Sequence, residues 1–145
     1  MPHLFLTGYE KETIEEFIEK LKHEHIDVVI DIREIPLSRK NGFSKNNLEK
    51  LLLSHGIRYF HYQELGSPSK IRSELRSTGD YLKFFKEYRI YAKKKITTLK
   101  NVLNVIHAHK HSVLLCFEKD CELCHRTIVA SELLKLNPHL QVTPI

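Results

Sequence analysis

Three stretches of the chain end in residues able to do chemistry. Cys124-His125-Arg126 opens an apolar run, Leu115-Cys116-Phe117-Glu118 closes another, and Arg33, Tyr59 and His61 stand near the ends of two more. A helix start presents unpaired amides and about half a positive charge, so it favours a bound anion or a thiolate. A cysteine there can have its pKa drawn well below the free value of ~8.5, the more so beside His125 and Arg126. Cys124 is therefore a candidate nucleophile or redox group, with His125, His61 or Glu118 as the proton carrier. Arg33 and Arg126 are candidates to hold an anion, Arg33 bidentately, and Tyr59 and Cys116 fall at the same strand ends. The plainer alternatives are an Arg33 paired with a buried Asp31 and a Cys116 that is only a small core hydrophobe.

Cys121-Glu-Leu-Cys124-His125 spells the haem-attachment pattern. That chemistry belongs to exported chains and commonly adds an axial Met, whereas the sole Met is Met1 and no export signal is visible. A C-x-x-C also serves zinc or redox work. Zinc would draw on Cys116, Cys121, Cys124 and a histidine, but only one paired half-motif is present. His107, His109 and His111 alternate, as ligands on one side of an extended segment would; exposed residues of a turn fit them as well. No metal ligand and no cofactor is assigned.

The elements that must position these residues follow from pattern. HLFLT at 3–7 is a short β-prone run, and Thr13 to Glu16 matches a capping box for a helix with Ile14, Phe17, Ile18 and Leu21 inward. DVVIDIR at 27–33 reads as a strand buried on both faces. Ser44 is a plausible cap for a helix carrying Leu48, Leu51 and Leu52, and Gly56 suits a helix end. RYFHY at 58–62 is a third strand, the aromatic stripe Tyr81, Phe84, Phe85, Tyr88, Tyr91 a helix, about 97–110 another helix, and SVLLCF at 112–117 a fourth strand. Residues 124–136 form a helix and 140–142 a short last strand. The stripe is read as core packing rather than base stacking. This alternation predicts an α/β single domain over residues 1–145, a mostly parallel four- or five-stranded sheet flanked by helices. In such sheets ligands sit beyond the carboxyl ends of the strands, where the residues above converge.

Composition bounds the rest. The 145 residues are 41% apolar and 28% charged, which suits a globular chain and excludes low-complexity or disordered classes. No apolar run approaches the roughly 20 residues of a membrane-spanning helix, so no membrane partner is expected. Three cysteines, an odd number, and no secretory signal point to a reduced, cytoplasmic setting. The net charge is +5, yet residues 70–100 hold ten Lys or Arg against three acids, a net +7 that leaves −2 for the remainder. Such a stretch attracts polyanions, nucleic acid among them, or is a solvated helix face.

The motifs together resemble the domain-of-unknown-function 488 family, a group of cytoplasmic prokaryotic proteins. The family's Thr-x-Gly-like turn corresponds to Thr7-Gly8. Its Val-Asp-Val-Arg strand with Pro and Ser-Arg corresponds to Ile30-Asp31-Ile32-Arg33, Pro36 and Ser38-Arg39. Phe43-Ser44, Gly56-Ile57-Arg58-Tyr59-Phe60-His61 and Leu65-Gly66 follow in order. Leu115-Cys116-Phe117-Glu118 and Cys124-His125-Arg126 complete the set. Tyr9 stands where the family often has His, Ser67 where it often has a second Gly, and Cys121 lies outside the pattern. The resemblance carries no activity with it. It implies that Arg33, Tyr59, His61, Cys116, Glu118, Cys124, His125 and Arg126 form one constellation. A looser likeness to rhodanese and phosphatase domains, which set a reactive Cys near Arg, is analogy only.

Three readings result. The first is an enzyme or degenerate enzyme, a thiol- or anion-dependent transferase or hydrolase binding a small anionic substrate at the Cys124 helix start. The second is a nucleic-acid-binding protein using residues 70–100, and the third a small zinc-stabilised domain. No feature sets an oligomeric state.

Overall fold

The dominant sequence signal, branched apolar runs separated by helical patterns, becomes one parallel sheet. The computed structural model describes residues 2–118 and 124–145. Five strands, β1 (His3–Gly8), β2 (Val28–Asp31), β3 (Arg58–His61), β4 (His111–Cys116) and β5 (Gln141–Pro144), pair in the order β3-β2-β4-β1-β5, every pair parallel. Among the described residues the helices are α1 (Ile14–His23), α2 (Lys45–Ser54), α3 (Ser69–Thr78), α4 (Tyr81–Lys93), α5 (Ile96–His107) and α6 (Arg126–Leu136). None of them is long and apolar enough to cross a membrane.

Each face of the sheet has its own core. On one side Phe5, Val29, Tyr59, Val113 and Leu115 meet α1 through Phe17 and Leu21 and α2 through Leu48 and Leu52. On the other Leu4, Leu6, Val28, Ile30 and Leu114 meet Tyr88 of α4, Leu99 and Val102 of α5 and Val129 and Leu133 of α6. Each fully buried Leu, Phe or Val adds about 1.5–3 kcal/mol over an exposed one, so the two layers supply most of the favourable term. The aromatic stripe is mainly core: Phe84 and Tyr88 are buried, and Tyr88 donates to the Leu65 carbonyl.

Local signals match where they are short-range. Thr13 Oγ1 accepts from the Glu16 amide at 3.1 Å while Glu16 accepts from the Thr13 amide at 2.9 Å. Ser44 differs. It stands at the start of α2, but its hydroxyl accepts from the Ser38 amide and donates to the Ser38 carbonyl, so it ties the 38–44 loop instead of capping the helix. Helix α3 has no counterpart among the elements expected from pattern: it buries no residue fully, and its one apolar pair, Ile71 and Leu75, is too short a period to read.

The strand order places a switch point at β4. The connections after β1 and β2 carry α1 and α2 over one face, whereas α6, after β4, covers the other. The crevice thus opened at the carboxyl ends of β1, β2 and β4 is where this architecture binds ligands.

Candidate functional site

Parallel pairing sets the levels. Gly8 of β1 is in register with Cys116 of β4, and Asp31 of β2 with Leu115. Side chains alternate across a strand, so Asp31 falls on the α1–α2 face and Cys116 on the α4–α6 face. The two halves of the site therefore approach the crevice from opposite sides of the sheet.

On the first side Arg33 turns back onto Asp31. Its Nε reaches Oδ1 at 2.9 Å and Oδ2 at 3.1 Å, and Nη2 reaches Oδ2 at 2.7 Å. Nη1 donates to the Phe43 carbonyl at 2.7 Å and to Tyr9 Oη at 3.2 Å. Tyr59 Oη donates to Asp31 Oδ2 at 2.5 Å. Asp31 is 0% and Arg33 6% exposed. Burial works against the guanidinium charge, but the hydrogen bonds and charge of Asp31, helped by Tyr9, outweigh it and raise the Arg33 pKa. Burial, then the Asp31 charge, raises that of Tyr59, which stays a neutral donor. Arg33 thus makes the ion pair named above as its plainer role. His61 meets the Arg33 carbonyl through Nε2 at 2.6 Å and does not line the crevice cavity.

On the second side Cys116, at the end of β4, and Cys124, just before α6, are 3% and 1% exposed. Their sulfurs are in direct contact, with Cα atoms 7.3 Å apart. His125 Nε2 lies 2.9 Å from the Ile32 carbonyl. A carbonyl only accepts, so Nε2 holds the proton and Nδ1 presents its lone pair. That Nδ1 is 3.6 Å from each sulfur. Burial pushes the His125 pKa down to about 4, with the Ile32 bond opposing and the charges of Arg126 and Arg72 adding to the fall. As a thiol Cys116 donates to Glu118 Oε2 at 3.2 Å. Burial also raises the Glu118 pKa, against a backbone hydrogen bond and Arg126.

Both sides border one cavity of about 820 Å³. Tyr9, Arg33, Cys116, Glu118, Cys124 and His125 line it, together with Arg39, Arg72 and Arg76. Its charged lining is four arginines to two glutamates, Glu34 and Glu118. Arg72 is held to Glu34 at 2.9 Å and to the Ser67 carbonyl. Exposed apolar residues, Ile35, Leu37 and Phe117, stand among the lining.

The family model described as Domain of unknown function DUF488 matches residues 13–133. The chain belongs to the DUF488 family. No curated protein and no solved structure matches it.

In this DUF488 chain the motif segments meet for physical reasons. The Leu65-Gly66 pair is needed because a Cβ on Gly66 would run into the Glu34 backbone. Tyr9, in the usual histidine place, accepts from Arg33 and stacks on Phe43 with ring centroids 4.3 Å apart. Ser67, in the usual glycine place, is buried and holds Arg72.

Of the residues nominated from sequence, Arg33, Cys116, Glu118, Cys124 and His125 line one cavity. Tyr59 does not line it; it bonds Asp31, the partner of Arg33. Arg126 is 1% exposed, donates from Nη1 to the Glu118 carbonyl and does not line the cavity, so it shapes the loop after β4. Arg39, Arg72 and Arg76 were not nominated. Arg72 and Arg76 lie within the basic stretch at an i, i+4 spacing, a signal that points to one helix face only once α3 is recognised. Cys121, the other half of the C-x-x-C spelling, lies outside the described residues. His107, His109 and His111 bind separately, to Asn137, the Val105 carbonyl and the His25 carbonyl.

Proposed function

We propose that the crevice binds an anionic substrate and presents it to the Cys116–Cys124–His125 cluster, making the protein a thiol-dependent enzyme. One observation carries this reading. A neutral imidazole nitrogen lies 3.6 Å from two sulfurs at the floor of a cavity with four arginines in its lining. His125 Nδ1, unprotonated, accepts a hydrogen bond from a thiol S–H and so orients sulfur as the reactive group. Arg39, Arg72 and Arg76 supply the positive field, and Arg33 contributes through the rigid base it forms with Asp31.

The test is iodoacetamide labelling of the reduced, chelator-treated protein across pH, with Cys124 followed by mass spectrometry. The expected result is faster labelling at neutral pH than free cysteine, slowed by pyrophosphate. Labelling no faster than the free thiol, and indifferent to pyrophosphate, overturns the reading.

A second reading, nucleic-acid binding, rests on Lys70, Lys86, Lys93, Lys94 and Lys100. All five are exposed, four on α3 to α5 and Lys94 in the turn between α4 and α5. Other charges of the same stretch are engaged: Lys83 with Glu74, and Arg89 with Glu132. Lysines on neighbouring helices beside an arginine-lined cavity form a track for a phosphate backbone.

A further inference from the structure

We propose that Cys116 Sγ, Cys124 Sγ and His125 Nδ1 are three ligands of a zinc-type divalent metal ion whose fourth position faces the arginine-lined cavity. The three donor atoms lie within 4.8 Å of one another. With Zn–S near 2.3 Å and Zn–N near 2.0–2.1 Å at tetrahedral angles, sulfur and nitrogen ligands stand roughly 3.6 Å apart. Both S–N distances here are 3.6 Å.

The cysteine backbones argue the same way. Their Cα atoms are 7.3 Å apart, wider than the ~7 Å limit for a disulfide closed without backbone movement. Binding both sulfurs to one ion removes that demand, and requires them to part from their present contact to about 3.8 Å. The imidazole is prepared as well. A ligating histidine almost always gives its other ring N–H to a carbonyl or carboxylate, which fixes ring and tautomer; His125 gives Nε2–H to Ile32. Two soft thiolates and an imidazole select zinc over magnesium or calcium.

Three protein ligands, counted among the described residues, with the fourth side toward the cavity are the form of catalytic rather than structural zinc sites. Cys116, Cys124 and His125 all border the cavity, so water or an anionic group of the substrate completes the sphere. Two thiolates balance the charge of the ion, which leaves the arginine field for the substrate. The inference rests on the anion-binding reading for what fills the fourth position, and it replaces the thiol protons by the ion.

The experiment is metal analysis of full-length protein purified under reducing conditions without added metal, then reloading of the chelated protein with Co²⁺. About one zinc per chain is expected as purified. Co²⁺ should give intense tetrahedral d–d bands and a thiolate-to-cobalt charge-transfer band, with phosphate shifting the d–d bands. Cys124→Ser and His125→Ala should lower Co²⁺ affinity beyond the roughly 100-fold that loss of an outer-sphere partner costs. Because either variant could fail to fold, the wild-type spectra decide. Less than a tenth of an equivalent bound after reduction and reloading, or bound Co²⁺ lacking the charge-transfer band, overturns the site. Bands unmoved by phosphate overturn the open position. Protection of Cys124 by pyrophosphate in the metal-free protein is independent of these outcomes, so either proposal can fail alone.

Discussion

His125 donates from Nε2 to the carbonyl of Ile32, and this one bond aims its other nitrogen at the sulfurs. The carbonyl belongs to the residue between Asp31 and Arg33. The buried ion pair on one face of the sheet and the thiols on the other are therefore joined by a single backbone unit.

The metal-free protein should lose stability as pH falls through the window set by His125. Its folded pKa is lowered to about 4 from 6.5, chiefly by burial, so the unfolded chain binds the extra proton between those values. Stability is full above about 6.5 and declines toward pH 4, by up to about 3 kcal/mol at 1.36 kcal/mol per unit. Glu118 contributes the opposite slope, since its folded pKa is raised by burial. Urea melts of chelated wild type and His125→Gln between pH 4 and 7 separate the two, because the substitution should flatten the acid-side decline. An unchanged decline would show that His125 is not its source.

Breaking the Asp31–Arg33 pair should be costly. Arg33→Gln leaves a carboxylate at 0% exposure without its cation, and such losses run to about 3–5 kcal/mol. Tyr59→Phe removes one bond to a charged acceptor, about 1.5–3 kcal/mol. In denaturant titrations the double variant Asp31→Asn/Arg33→Gln should lose clearly less than the sum of its singles; additive losses would contradict the pairing.

Gly66→Ala should damage both stability and the site. The new methyl meets the Glu34 backbone, so the 66–69 loop or Glu34 must move, at about 1–3 kcal/mol. Arg72 is bound to both Glu34 and Ser67. Thermal melts and pyrophosphate titrations should therefore fail together, and a variant that melts and binds as wild type would exclude this tight approach.

Arginines and lysines should separate the two functional readings. Arg72→Gln and Arg76→Gln should each weaken pyrophosphate binding about tenfold, the equivalent of one charged hydrogen bond. Lys93, Lys94 and Lys95 changed together to Gln should leave it intact. The triple variant should instead reduce the salt dependence of any DNA binding, whose log–log slope is about −0.9 per phosphate neutralised on duplex DNA. A wild-type slope near zero would leave the lysines as a solvated face.

What was legible in the sequence was whatever depended on near neighbours or on period. The Thr13–Glu16 box needs three residues, and the runs around Val29 and Leu114 show their burial directly. The convergence of Cys116, Glu118, Cys124 and His125 followed from strand ends in a parallel sheet. Helix α3 was not legible, because it buries no residue fully and offers only Ile71 and Leu75 as an apolar pair. Nor was the choice between Asp31 and a ligand for Arg33, nor the inward turn of Arg126. Those depend on Tyr9, Phe43 and the Glu118 carbonyl, partners brought in by folding from elsewhere along the chain.

The strand order has one more consequence. β1 and β2 do not touch in the sheet; β4 lies between them. During synthesis β1, β2 and β3 leave the ribosome well before β4, so the sheet's middle position stays open until most of the chain exists. The strand that fills it ends in Cys116, and α6 behind it brings Cys124 and His125. The Cys116–Cys124–His125 cluster is thus brought together only after most of the chain exists, unlike the Asp31–Arg33–Tyr59 network, whose residues all precede β4.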